Sequence, residues 1–180
     1  MPETSYPRER TALLLVDPYN DFLSEGGKIY PRIKPVADEV GLLDNLRRLD
    51  GAIRAAGVQV VIVPHRRWEP GDLIAHEHWA QSGFANTDLD LLLKQKGITH
   101  VIVVGLLANT CIESTARFAM ELGYHVTLVR DATAALSHEM MHAAHELNGP
   151  TFAHAIMTTA EVIAALPEAG GQPTTSARKG

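Results

Sequence analysis

One cysteine, Cys111, stands where an apolar run gives way to a helix-forming stretch: His100-Val-Ile-Val-Val-Gly105-Leu-Leu-Ala-Asn-Thr-Cys111-Ile-Glu-Ser-Thr-Ala-Arg-Phe-Ala-Met-Glu-Leu-Gly123. A thiol at such a junction can meet the unpaired N–H groups of a helix's first turn, whose partial positive charge favours thiolate over thiol and so makes a nucleophile. The competing reading of a lone cysteine is a small buried hydrophobe. Its position at a strand-to-helix junction, after polar Asn109 and Thr110, favours chemistry. Asp17 closes a second apolar run, Thr11 to Val16, and precedes Pro18. Asp17 and Cys111 can be neighbours despite their separation in sequence, because residues that follow parallel strands project toward one edge of the sheet. The alternative for Asp17 is a turn or cap at a strand end.

Positioning two residues so far apart in sequence requires particular elements. Thr11 to Val16 reads as a strand buried on both faces. From Lys34 to Ala56, apolar residues at Val36, Val40, Leu43, Leu46, Leu49 and Ile53 recur every three or four positions, which predicts one amphipathic helix ending at Gly57. Strands follow over 58–64 and 99–104, with a helix over 88–96 between them and a helix from Cys111 to Leu122 after them. A strand over 125–129, a helix over 137–148, a short strand over 153–157 and a capped helix from Thr158 to Leu166 complete the chain. Alternating strands and helices of this kind predict a three-layer α/β/α fold with a mostly parallel sheet. In such sheets ligands bind beyond the carboxyl ends of the strands. Asp17, His65 and Cys111 each follow a strand and are expected at that edge.

Composition narrows the function. At 180 residues with 46% hydrophobic content, the chain suits one domain, expected over residues 10–167, with flexible tails at 1–9 and 168–180. A formal net charge of −5 offers no basic face for nucleic acid. One cysteine excludes an internal disulfide and a cysteine-based zinc cluster. No apolar run has the length of a signal or a membrane span, so the expected compartment is cytoplasmic.

In order along the chain, Leu13-Leu-Leu-Val-Asp-Pro-Tyr-Asn-Asp-Phe22, Ser82-Gly-Phe84, Thr87-Asp-Leu89, Gly105-Leu-Leu-Ala-Asn-Thr-Cys111, Thr115-Ala116, Ala119 with Gly123-Tyr124 and Asp131-Ala-Thr133 resemble the isochorismatase-like cysteine hydrolases. The resemblance spans Thr11 to Leu166. It implies an Asp-Lys-Cys triad that hydrolyses amides, ureides or related C–N bonds through a thioester, with Cys111 as nucleophile and Asp17 as general base. It also implies a non-proline cis peptide at Leu106-Leu107 and an oxyanion hole formed by the N–H groups of Leu107 and Cys111. The substrate is then a small molecule, and the assembly a homo-oligomer. True isochorismatases, which cleave a vinyl ether, lack the cysteine.

The pattern departs from the family at the lysine. The stretch Gly71-Asp-Leu-Ile-Ala-His-Glu-His-Trp-Ala-Gln-Ser82 contains none, which leaves His76, Glu77 or His78 in its place. A protonated histidine can share the lysine's work and a glutamate cannot. The segment from His65 to Ser82 is also shorter than in relatives, where it carries part of the pocket lid. Lys94 and Lys96 read as a solvated helix face. Phe22, Trp79 and Phe84 flank site motifs and are expected to wall the pocket, with core packing as the alternative, and Asn20 and Asn109 to hold polar substrate groups, with turn capping as theirs. No metal-binding Asp-x-His spacing follows Asp21, and His138, His142 and His145 read as a polar helix face, so no metal or cofactor is expected. Two other functions remain open: a hydrolase of an ester or vinyl ether on the same fold, and a catalytically impaired binding or assembly protein.

Overall fold

In a computed structural model of the chain, residues 5–63 and 72–168 are described. The apolar run forms β1 (Thr11–Val16), and Asp17 leaves it with a left-handed backbone, φ 51°. A single turn, α1 (Asn20–Leu23), leads to α2 (Tyr30–Val40) and α3 (Leu42–Ala55). The one helix expected over 34–56 is thus two. Gly41, at φ 67°, ends α2 in a conformation that glycine adopts without steric cost. Asn45 secures the break, its Nδ2 donating to the carbonyls of Val40 and Asp131 at 2.8 and 3.0 Å.

Next come β2 (Gln59–Val63), β3 (Leu73–Ile74), α4 (Leu89–Gln95) and β4 (His100–Leu106). A π turn over Ala108–Ile112 runs into α5 (Glu113–Glu121), followed by β5 (His125–Ala134) and α6 (His138–His142). A second π turn (Ala143–Asn148) and a 3-10 turn (Gly149–Thr151) precede β6 (Ala155–Met157) and α7 (Thr159–Ala165). The strands form one sheet in the order β3-β2-β1-β4-β5-β6, and every pairing is parallel. This is the three-layer α/β/α fold that the alternation of elements predicts.

Alternate residues of the strands feed opposite cores, as the period of two requires. Ala12, Leu14 and Val16 of β1 pack with Leu89 and Leu93 of α4 and with Ala116 and Ala119 of α5. Leu13 packs on the other face with Leu49 and Ile53 of α3 and Val162 of α7. Strand β5 runs five residues past its expected end at Val129 because its polar extension has partners: Arg130 Nη1 donates to Glu146 Oε1 at 3.1 Å, and Asp131 Oδ1 accepts from Thr159 N–H and Oγ1 at 2.7 and 2.9 Å. The capping box at Thr158 forms with Glu161, as its spacing predicts. The tail expected through Glu9 is docked from Tyr6, whose ring is only 2% exposed and whose hydroxyl lies 3.1 Å from Thr127 Oγ1. Among the described residues, no helix is long and apolar enough to cross a membrane.

At the sheet edge opposite Asp17, His100 opens β4, His125 opens β5 and His154 precedes β6. Their rings stack in a row, with centroids 4.9 and 4.4 Å apart. The Val126 N–H donates to His154 Nδ1 at 3.1 Å, so that nitrogen carries no hydrogen. Burial pulls the pKa of His100 and His125 below the ordinary histidine value, with Arg10 and the neighbouring rings of the row further opposing protonation. The unfolded chain therefore binds more protons than the folded one as pH falls below about 6.5, and stability is lost in that direction. Thermal unfolding followed at about pH 7 and about pH 5 should give a lower midpoint in acid. His125→Phe, which keeps the stack without the titration, should reduce that drop.

Candidate active site

Parallel pairing aligns Val16 of β1 with Gly105 of β4, so the residues that follow these strands emerge side by side. Asp17 leaves β1 there. Its N–H donates to Val63 O at 2.7 Å, and its carbonyl accepts from Tyr19 N–H at 2.7 Å, which fixes the turn that buries the carboxylate. From β4 the chain passes through Gly105, at φ 115°, and a cis Leu106-Leu107 peptide into the π turn that carries Cys111. The Leu107 carbonyl accepts the N–H groups of both Thr110 and Ile112, each at 3.1 Å. That wide turn sets the thiol against the core containing Phe84, Ile112 and Ala116.

Cys111 is not the helix-opening residue that its sequence position suggests. It lies inside the turn, and its environment opposes the thiolate at rest. Burial pushes the thiol up to about 12, with the Asp17 carboxylate adding repulsion. The Leu107 backbone N–H and the Thr110 hydroxyl, 3.9 Å from Sγ, pull weakly the other way. The resting pair is a protonated thiol beside Asp17. The donation from Thr110 to sulfur is a contact that the sequence pattern does not single out, and the placement of that hydroxyl immediately before the cysteine is the signal that points to it.

Of the three residues considered for the lysine position, the structure brings His78 to Asp17, with Nε2 3.3 Å from Oδ1 and side chains 5% and 7% exposed. The approach lies off the line of a well-formed hydrogen bond. His78 Nδ1 is 2.7 Å from the Ala80 carbonyl, an anchor that sequence spacing gives no reason to expect. The Asp17 carboxylate holds the imidazole above its ordinary pKa, against the opposing effect of burial. His76 turns away, its Nδ1 3.2 Å from Asp88 Oδ2 on the surface. Glu77 is exposed.

The motifs between β3 and α5 bind the loop carrying His78 to the nucleophile's helix. The Gly83 N–H donates to Thr115 Oγ1 at 2.9 Å, and Thr87 Oγ1 donates to the Gly83 carbonyl at 2.6 Å. The His76 N–H donates to Asp88 Oδ1 at 2.7 Å, and Ser114 Oγ to Gln81 Oε1 at 3.0 Å. Ser82-Gly-Phe84, Thr87-Asp-Leu89 and Thr115 thus form one network.

The expected pocket residues separate. Trp79 is 93% exposed and projects from the loop, with no apolar neighbour among the described residues to cover it. Phe84 is buried against Tyr124, ring centroids 5.8 Å apart, which is core packing. Phe22 is half-buried, near Tyr19 and on the cluster under α2. Asn20 is exposed at the start of α1, accepting from Ser24 Oγ. Asn109, two residues before the thiol, keeps its Oδ1 buried without a hydrogen-bond partner. His65 lies outside the described residues. The histidines of the 137–148 stretch diverge: His138 meets Glu39 on the surface at 3.3 Å, whereas His145 is buried, with Nε2 3.1 Å from Thr133 Oγ1. The expected polar face is therefore interrupted where His145 turns inward to serve β5. Lys94 pairs with Asp90 on an exposed surface.

A buried carboxylate and imidazole beside a half-buried thiol, at the carboxyl edge of a doubly covered parallel sheet, make a candidate hydrolase site on an α/β fold. The isochorismatase domain family matches residues 62–161, more than half of the chain, and the protein belongs to the isochorismatase family. It is 27% identical to the ureidoacrylate amidohydrolase RutB of Yersinia enterocolitica, over 82% of this chain and 85% of that one. The alignment runs to 197 positions, so that relative carries internal residues absent here. Among solved structures it resembles a cysteine hydrolase from Pseudomonas syringae pv. phaseolicola, with TM-score 0.75 and 25% identity over 91% of this chain and 95% of that one. It also resembles the N-carbamoylsarcosine amidase of Thermoplasma acidophilum, with TM-score 0.65 and 26% identity over 83% and 96%.

Proposed function

We propose that this protein is a cysteine amidohydrolase that cleaves a C–N bond of a small ureido, carbamoyl or amide substrate. The observation that carries the reading is the burial of Asp17 beside the Cys111 thiol at the ends of adjacent strands, close enough for the carboxylate to raise the thiol's pKa. The names of an amidohydrolase and an amidase among its relatives support the choice of C–N over ester or ether bonds.

In this mechanism the Asp17 carboxylate takes the thiol proton as Sγ attacks the substrate carbonyl carbon. The developing oxyanion is held by the N–H groups of Leu107 and Cys111, a pair of donors of the kind worth about 3 kcal/mol each in acyl transfer. Protonated Asp17 gives its proton to the nitrogen as the C–N bond breaks, leaving a thioester on Cys111. Water then attacks the thioester, passing a proton to Asp17. The C–S bond breaks, and the sulfur recovers that proton. A thiol with a pKa near 12 is compatible with this scheme because proton transfer and attack are coupled, and no standing thiolate is needed.

Ammonia release from ureidoacrylate and from N-carbamoylsarcosine, measured beside ester analogues of matched size, tests the bond class. Turnover of a ureido or carbamoyl compound in preference to its ester is expected, with an acyl-enzyme mass on Cys111 under rapid quench. Ester-only turnover, or binding of these compounds without product, would overturn the reading.

A further inference from the structure

The buried imidazole of His78 has one protonation state that fits its surroundings. Its Nδ1 is 2.7 Å from the Ala80 carbonyl, and a carbonyl only accepts, so Nδ1 carries a hydrogen. A neutral ring in that tautomer would leave the Nε2 lone pair beside Asp17 Oδ1, 3.3 Å away, setting acceptor near anion in a site shielded from water. A second hydrogen on Nε2 converts that repulsion into an ion pair. We propose that His78 works as an imidazolium, a positioning residue that keeps Asp17 able to take the Cys111 proton and that gives the enzyme an alkaline limit to its activity.

This inference rests on the Asp17 and Cys111 hydrolase reading above and adds a charge requirement to it. As Asp17 takes the proton and Sγ attacks, negative charge passes to the substrate oxygen, and the imidazolium offsets it within the site. With His78 neutral, the same step builds that charge with no imidazolium beside it, a costly state in a low-dielectric site. Among the described residues, the titratable groups facing the ring are Asp17 from the end of β1, the Cys111 thiol beyond it and Glu77 on its own loop. His76 is engaged with Asp88. Because Asp17 holds the imidazole proton more tightly than usual, the limit falls above the ordinary histidine range.

The test is the pH profile of kcat/KM, on whichever of ureidoacrylate or N-carbamoylsarcosine is turned over, for the wild type, His78→Gln and His78→Lys. The wild-type rate is expected to fall about tenfold per pH unit above its limb. His78→Gln should lose roughly 100-fold and the limb with it. His78→Lys, which restores a cation, should recover part of that loss and carry activity to higher pH. A His78→Gln profile that keeps the wild-type limb, or equal activity in the Lys and Gln variants, would overturn the inference. Circular dichroism checks that each variant folds; if His78→Gln does not, the displaced limb in His78→Lys carries the test. Should neither compound be turned over, iodoacetamide alkylation of Cys111 at about pH 9 replaces turnover. There His78→Lys should react faster than wild type, and equal rates would refute the proposal. Cys111→Ala separates the two readings: turnover surviving in it defeats the hydrolase mechanism, whereas its loss alongside an unchanged His78→Gln profile defeats only the role of His78.

Discussion

Asp17→Asn is expected to slow turnover by about 10^3-fold or more while making Cys111 more reactive toward a simple alkylating agent. The opposed signs follow from the two things the carboxylate does. As a base it takes the thiol proton during attack, and an amide cannot. As a charge it raises the thiol's pKa, which burial and this anion together push to about 12; neutralising it lowers that pKa and increases the thiolate fraction near neutral pH. The substitution should leave the fold intact, because Asp17 sits at φ 51° and asparagine is among the residues that tolerate the left-handed region. Cys111→Ala should abolish turnover, by about 10^4-fold or more, and remove all alkylation, since the chain has one cysteine. The measurements are ammonia release and iodoacetamide labelling against pH. Asp17→Asn losing both reactivities would show that Asp17 merely supports the local structure, and retention of turnover would remove it from the chemistry.

Asp17 and Cys111 are legible in the amino-acid sequence because each follows an apolar strand, and a parallel sheet gathers strand ends at one edge. The ordered motifs are legible as a resemblance, and their bonds explain why they occur together: Thr115 holds Gly83, Thr87 holds the same residue, and Asp131 caps α7 through Thr159. The state of the thiol is not legible. A helix start predicts stabilised thiolate, but the π turn places Sγ among apolar side chains and beside an anion, and burial outweighs the dipole. Nor can spacing choose among His76, Glu77 and His78. The choice depends on the Ala80 carbonyl and on the direction of the loop, which sends His78 inward and Trp79 into solvent. The helix break at Gly41 is hidden because the apolar period continues on both sides of it, and the far half of β5 because its charged residues have folded-state partners that no local pattern records.

Gly105→Ala is expected to be the most damaging single-methyl change for stability, because both the backbone and the space at that position exclude a Cβ. The residue has φ 115°, a conformation that side chains other than hydrogen rarely adopt. A Cβ there would overlap the Val16 carbonyl oxygen and lie 2.8 Å from the Val16 carbonyl carbon and 3.0 Å from its nitrogen. These are backbone atoms of the paired strand, so no rotamer change relieves them. The register of β4 against β5 shifts between Val103 and Gly105, while β4 stays in unbroken register with β1 as far as Val16 and Gly105. Overpacking a core ordinarily costs about 1–3 kcal/mol; with positive φ and backbone overlap combined, roughly 4 kcal/mol or more is expected, a fall of about 10 °C in Tm for a chain of this size. Gly97→Ala is the control, since its φ of 68° carries the conformational penalty while its Cβ would meet nothing within 4 Å; its cost should stay near 1 kcal/mol. The loss should extend to chemistry, because Val16 leads directly into Asp17 and Gly105 into the turn bearing Cys111. Any Gly105→Ala protein that remains folded should therefore show reduced kcat/KM at temperatures well below its Tm. Equal Tm values for the two alanine variants would mean that the contact with Val16 relaxes freely. A destabilised Gly105→Ala with unchanged kcat/KM would mean that the spacing of β1 and β4 does not set the distance from base to thiol.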